Sequence, residues 1–156
     1  MRPTPDRVRE TLFNWLGQTL YGKRCLDLFA GSGALGFEAA SRGAEQVLMV
    51  ENNRVVYRSL QANAGKLGLG NVALRCEDGL KFVRQEHGVF DVIFVDPPFK
   101  SDCLPQLLPL LENILTQDGK VYLESGTAFE PDAAWRAVRR AKAGAVHYQL
   151  LEREPA

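Results

Sequence analysis

Histidine is almost missing from this chain, cysteine is sparse, and no sign of charge prevails. With only two histidines, His87 and His147, there is little material for a histidine-dependent triad or a metal cluster. The three cysteines, Cys25, Cys76 and Cys103, lie far apart with no Cys-x-x-Cys pair, which argues against a disulfide framework and a zinc site. Cys25 and Cys76 fall in apolar strand-like runs and read as small core residues of a protein kept in a reducing compartment. No apolar stretch approaches a membrane span and no charged-then-apolar signal opens the chain, so the expected location is the cytoplasm, with no membrane contact. The 19 basic and 19 acidic side chains cancel, so net charge gives no support for a nucleic-acid partner, although balance leaves room for a local patch. Thirteen of the bases are arginine, and they gather as Arg2, Arg7 and Arg9 and again as Arg136, Arg139 and Arg140, clusters that equally suit a solvated face.

What is present is a core. A chain of 156 residues with 46% hydrophobic content is long enough for one well-filled core and too short for two ordinary ones, so residues 1–156 are expected to form a single domain, by default a monomer. Thr4 suits an N-cap and Pro5 a first helical position, after which Val8, Leu12, Trp15, Leu16 and Leu20 share one face of a helix spanning 4–20, closed by Gly22 and Lys23. Strands then alternate with helices: a strand over 24–29, a helix through Arg42, a strand over 46–51, a helix over 54–67, a strand over 72–76, a helix over 80–85, a strand over 90–95 and a helix over 104–115. A turn at Gln117-Asp118-Gly119 leads to a strand over 120–124. This alternation predicts a right-handed, mostly parallel α/β sheet. Residues 133–142 suit a helix or a strand, and the turn at Ala143-Gly144 before the strand-like run 146–151 makes a final hairpin one solution.

Two stretches carry chemistry. Gly31-x-Gly33-x-x-Gly36 follows a strand and opens a helix, with the acid Glu51 ending the next strand about 20 residues on, which satisfies a dinucleotide fingerprint. Asp27, just ahead of the loop, would repel a pyrophosphate and welcome a cation. S-adenosylmethionine, with a sulfonium and an ammonium group and no phosphate, therefore fits better than a nicotinamide cofactor. Glu51 can accept from both ribose hydroxyls, and Asp78 can accept from the adenine amine, cap the following helix, or do both.

The second stretch is the strand 90–95 running into Asp96-Pro97-Pro98-Phe99. Each proline presses the residue before it into extended geometry, so Asp96 and Pro97 are held rigidly at the sheet's C-terminal edge, where open α/β sheets bind ligands. That motif suits methylation of an exocyclic amine on a nucleic-acid base, a poor nucleophile whose lone pair is delocalised into the ring. The Asp96 carboxylate and the Pro97 carbonyl can each accept one amine hydrogen, Pro98 adds no competing donor, and Phe99 can stack on the extruded base. A proline-terminated strand followed by a core phenylalanine would also account for these four residues taken alone. Arg7, Arg9 and Lys100 are the candidates for phosphate contacts, and the segment 100–105 for a substrate-gating loop.

In this order these features resemble a class I S-adenosylmethionine-dependent methyltransferase. Arg2-Pro3-Thr4-Pro5-Asp6-Arg7-Val8-Arg9-Glu10-Thr11-Leu12-Phe13-Asn14-Trp15-Leu16 resembles more specifically the opening helix of the RsmD-type family, the bacterial 16S ribosomal RNA guanine-N2 methyltransferases, which act on guanine 966. Leu26-Asp27-Leu28-Phe29-Ala30-Gly31-Ser32-Gly33-Ala34-Leu35-Gly36 and Val95-Asp96-Pro97-Pro98-Phe99 resemble that family's motifs too, and the similarity runs from residue 2 to about residue 153. The resemblance implies a Rossmann-like, seven-stranded, mostly parallel sheet with an antiparallel last strand and helices on both faces. It implies S-adenosylmethionine contacts at Asp27, Phe29, Ala30, Gly31, Ser32, Gly33, Glu51, Asn52, Asp78 and Gly79, and base contacts at Asp96, Pro97, Pro98 and Phe99. The implied partner is small-subunit ribosomal RNA or a 30S assembly intermediate, met by Arg2, Arg7, Arg9 and Lys100. The basic, Gly-rich segment that precedes the Arg-Pro-Thr motif in family members is absent from this chain. Asp-Pro-Pro-Phe is shared with adenine-N6 methyltransferases of DNA or RNA, which form the alternative reading. A nicotinamide oxidoreductase and a non-enzymatic RNA-assembly factor of the same fold are further ones.

Overall fold

The strand Phe90–Val95 sits at the centre of the molecule, and its alternation explains the layers. Val92 and Phe94 are buried in one hydrophobic cluster with Leu12 and Leu35, whereas Ile93 and Val95 are buried in another with Phe82 and Leu107. A strand that reads as one continuous apolar run thus feeds cores on both faces. Phe90 joins the second cluster although it has the parity of Val92, because the pairing register shifts between them. The computed structural model describes residues 5–85, 88–98 and 103–155.

In chain order the elements are α1 (Asp6–Leu16), β1 (Arg24–Asp27), α2 (Ala34–Ser41), β2 (Gln46–Glu51), α3 (Arg54–Leu67), β3 (Val72–Cys76), α4 (Gly79–Val83), β4 (Phe90–Val95), α5 (Leu104–Leu111), β5 (Leu115–Ser125), β6 (Trp135–Ala143) and β7 (Val146–Arg153). They build one seven-stranded sheet of order β3-β2-β1-β4-β5-β7-β6. Strands β1 to β5 pair in parallel, and β7 runs antiparallel to both of its neighbours. The Rossmann-like sheet with an antiparallel last strand is the expected one. Helices α1, α2 and α3 contribute to the first cluster, and α4 and α5 to the second. Between β1 and β4 the strand order reverses direction, which makes their C-terminal ends a topological switch point.

Several boundaries differ from the sequence expectation. The first helix covers Asp6–Leu16 and not 4–20: Pro5 occupies the N-cap, and Gly17, at φ 110°, leaves the helix while its N–H still reaches the Phe13 carbonyl. Leu20 is nevertheless buried, its N–H donated to the Arg42 carbonyl. Helix α4 begins at Gly79 and ends at Val83, and α5 stops at Leu111, because Leu115 already pairs with Phe90. Gln117-Asp118-Gly119 is accordingly part of the long strand β5 and no turn. Gly119 is buried there, and a Cβ on it would meet Leu115 Cδ1 at 2.5 Å. Residues 135–143 resolve as strand, and the final hairpin forms. Thr4, His87 and most of the segment 100–105 lie outside the described residues.

Helix α1 is fixed by aromatic contacts to the sheet. Phe13 lies 6.0 Å from Phe94 between ring centroids, the Arg42 guanidinium sits 4.8 Å above Phe13, and Trp15 stacks on Tyr148 at 5.2 Å. Phe13 is completely buried, so Phe13→Ala is expected to cost about 3–5 kcal/mol, measured as a lower urea midpoint at unchanged m-value.

Candidate functional site

The site starts from a glycine turn that only one carboxylate secures. Gly31 and Gly33 have φ of 57° and 88°, the left-handed region where a side chain is strained. Gly31 donates its N–H to Glu51 Oε1 at 2.9 Å, and Asn53 donates its N–H to Glu51 Oε2, also at 2.9 Å. Glu51 is 7% exposed, so the end of β2 ties the loop after β1 to the start of α3. Gly36 answers a different need: a Cβ there would come within 2.7 Å of Met49 Cε, so its absence lets α2 lie close on β2. Asp27 is 2% exposed and accepts the Gly36 N–H at 3.1 Å. Burial, reinforced by the nearby Glu51 charge and only partly offset by that N–H, pushes its carboxyl up to about 7.

Beside the loop a cavity of about 160 Å³ opens, with Leu28, Phe29, Leu80, Pro97, Pro98 and Cys103 as its apolar walls and Glu51, Asn52 and Asp78 as its polar fittings. It is smaller than the roughly 300–1,000 Å³ of drug-sized pockets and suits one planar ring system with a polar edge. Gly79 forms part of the lining, and a Cβ on it would stand 2.9 Å from Phe29 Cε1. Asp78 caps α4 through the Lys81 N–H, donated to Oδ2 at 3.1 Å, and lines the cavity as well, so the capping role and a place at the pocket coexist. Of the expected cofactor residues the structure brings together Phe29, Glu51, Asn52, Asp78 and Gly79 around this cavity. Asp27, Ala30, Gly31, Ser32 and Gly33 belong to the adjoining strand end and loop and are not part of its lining.

Pro97 and Pro98 form the wall that the cavity shares with the Asp96 motif. Asp96 follows β4 directly, and its carboxyl is pushed up to about 8, first by burial and then by the charges of Glu124 and Asp27. Glu124, at the end of β5, is 7% exposed and accepts the Tyr122 hydroxyl at 2.8 Å on Oε2. Burial and the Glu124 carboxylate drive the Tyr122 hydroxyl strongly upwards, so it remains a donor. The sequence reading treated Glu124 and Tyr122 only as strand residues. The alternation in Lys120-Val121-Tyr122-Leu123-Glu124 was the available signal, since it places an acid on the same face as a buried tyrosine. Phe99, Lys100 and Arg2 lie outside the described residues.

On α1, Arg7 is exposed. Arg9 is engaged by Asp6 at 2.9 Å and approaches Glu38 at 3.9 Å. In the second arginine cluster, Arg136 pairs with Glu152 at 2.9 Å and Arg140 with Glu130 at 2.6 Å. Among the described residues no group of three His, Cys, Asp or Glu is placed to hold a metal ion, and no helix is long and apolar enough to cross a membrane.

A family model described as Conserved hypothetical protein 95 matches residues 1–152. The chain belongs to this family, that of the RsmD-type proteins. Among the relatives is the Ribosomal RNA small subunit methyltransferase D of Escherichia coli K12, 41% identical over 160 residues that cover 99% of this chain and 80% of that protein. The protein of the same name from Haemophilus influenzae is 37% identical, covering 97% of this chain and 83% of its own. Among solved structures, the Escherichia coli protein yhhF superposes with a TM-score of 0.90 at 40% identity, covering 100% of this chain and 89% of that one. The RsmD-family fold therefore places the shared motifs in the arrangement described above.

The raised carboxyls have a consequence for stability. Asp96 and Asp27 hold their protons in the folded state up to about pH 8 and 7, whereas in the unfolded chain they ionise near 3.8. Folding stability therefore falls as pH rises between those values and is not lost on acidification through them. Asp96→Asn removes one of the two groups, so its Tm relative to wild type is expected to be unchanged near pH 4 and to climb by several degrees towards pH 8, read by thermal melts across that range.

Proposed function

We propose that the protein transfers a methyl group from S-adenosylmethionine to the exocyclic N2 of a guanine in 16S ribosomal RNA, at a guanine-966-type site. The observation that carries this reading is the shared wall: Pro97 and Pro98 of the amine-orienting motif line the same cavity as Glu51 and Asp78. A bound adenosine and a substrate amine are thereby brought to opposite sides of one short segment. The names of the 41%- and 37%-identical relatives support a small-subunit ribosomal RNA substrate.

The residues present fit the donor. The apolar slot between Phe29, Leu80 and Pro97 accommodates an adenine ring, and the bare Gly79 backbone leaves it room. Asp78 takes the adenine amine, Glu51 the ribose hydroxyls, and Asp27 with the loop Ala30, Gly31, Ser32 and Gly33 the cationic methionine end. When bound, the donor supplies a methyl group on a sulfonium, ready for in-line displacement. Asp96 and the Pro97 carbonyl accept the two amine hydrogens and direct the nitrogen lone pair at that methyl. The nitrogen–carbon bond forms as the carbon–sulfur bond breaks, and one amine proton passes to Asp96 and then to solvent. Phe99 is assigned to stacking on the base. Holding the two reactants in this geometry is the main source of acceleration, up to about 7–11 kcal/mol in ideal cases. Arg7 is the phosphate contact best placed on α1, with Arg2, Arg9 and Lys100 as the others. The chain acts as one domain and as a monomer.

Incubation with methyl-labelled S-adenosylmethionine and, in parallel, unmodified small-subunit particles, naked 16S RNA and DNA is expected to yield labelled N2-methylguanosine. Labelled N6-methyladenosine would establish the adenine reading instead. Asp96→Ala is expected to bind S-adenosylmethionine normally and to lose at least about 10²-fold in rate, and a variant with the normal rate would remove the central role of Asp96. Because the productive form has Asp96 ionised, kcat/KM is expected to fall tenfold per unit below about pH 8. The fall steepens below about pH 7, where Asp27 also takes up its proton and no longer attracts the cation.

A further inference from the structure

The Asp96 carboxyl has a neighbour that its own motif does not supply. Strands β4 and β5 run parallel with Val95 beside Leu123, so the next residues, Asp96 and Glu124, stand side by side at about the 4.8 Å spacing of paired strands. Alternation carries both to the face where Phe94 and Tyr122 meet edge to face, 6.4 Å between centroids. Glu124 is firmly held. Its Oε2 accepts a hydroxyl from Tyr122, which is itself wedged between the rings of Phe94 and Tyr148. A carboxylate has about four acceptor positions, so this one hydroxyl leaves capacity for a further donor.

The two bases that an Asp-Pro-Pro-Phe motif can serve differ at the atom beside their amine. Guanine presents N1–H next to its N2 amino group, two donors in a row, whereas adenine presents the N1 lone pair next to its N6 amino group. We propose that Glu124 is the specificity-determining residue, accepting the guanine N1–H while Asp96 and Pro97 hold the N2 amine. The inference rests on the guanine-N2 reading and goes beyond it by naming what reads the base. A carboxylate aimed at adenine N1 meets a lone pair in a desolvated place, a contact that repels the wrong substrate as well as attracting the right one. Sites built around a substrate's hydrogen-bonding group discriminate strongly against analogues that lack it, because their own polar atoms are left unmatched.

The test uses small-subunit particles assembled from 16S RNA carrying guanosine, 2-aminopurine riboside or adenosine at the position that the wild-type protein methylates. 2-Aminopurine keeps the N2 amine and lacks N1–H. Wild-type kcat/KM is expected to favour guanosine over 2-aminopurine by about 10- to 100-fold, the worth of one hydrogen bond to a charged group. Glu124→Gln keeps an acceptor for Tyr122, loses the charge and adds a donor. Its guanosine to 2-aminopurine ratio is expected to fall towards one, mainly through loss on guanosine, with S-adenosylmethionine affinity and Tm retained. Equal wild-type rates on guanosine and 2-aminopurine would overturn the inference with no variant needed, and so would a Gln variant that keeps the wild-type ratio. Wild-type protein that labels adenosine and leaves guanosine untouched would overturn the guanine-N2 reading itself, and this inference with it.

Discussion

Two hydrogen bonds to one carboxylate hold the nucleotide end of the site together. Glu51 accepts from Gly31 on one side and from Asn53 on the other, and the two donors belong to segments that no other side chain is shown to join. The glycine turn, the first turn of α3 and the floor of the cavity are thus referred to a single fixed point at the end of β2. Because Glu51 is buried, these bonds compete little with water, and a carboxylate that grips its own backbone is also pre-oriented for whatever hydroxyls reach it. Asn53 adds to this by capping α3, its side-chain oxygen accepting from Val55 and Val56 at 2.9 and 3.1 Å.

A second constraint is electrostatic. Three carboxyls, those of Asp27, Asp96 and Glu124, converge on the C-terminal ends of neighbouring strands, and the first two are shifted upwards by burial and by their acidic neighbours. A fold gains nothing in stability from such a cluster, since buried acids without cationic partners oppose ionisation. Their placement at the switch point, beside the one apolar slot with polar fittings at its edge, is the kind of strained arrangement that marks functional ground. A ligand bearing positive charge would relieve the cluster, which links binding to proton release.

Most of the fold was legible in the sequence because the signals were local. The spans 46–51, 54–67 and 72–76 were read to the residue, since β-branched runs, the Asn53 cap and the Gly68 stop each act within a few positions. What escaped was set by tertiary pairing. The turn-like Gln117-Asp118-Gly119 is drawn into β5 because Leu115 has Phe90 to pair with, and 135–143 becomes strand because β7 offers it an edge. In the site, motif residues were readable because proline, glycine and acid types at fixed spacing carry their own geometry. Glu124 was not, since its importance comes from Asp96 on the next strand, 28 positions earlier in the chain.

The stack of Trp15 on Tyr148 joins the first helix to the last strand, and β7 lies inside β6 in the sheet although it comes after it in the chain. A ribosome making this protein therefore releases α1 first and its aromatic partner almost last. Until then the apolar side of α1 has only β4 and β5 to rest on, and the open flank of β5 is an unpaired edge. Completion of the hairpin closes both at once. The strand that finishes synthesis is thus the one that seals the sheet, and a nascent chain short of it is the species most exposed to aggregation.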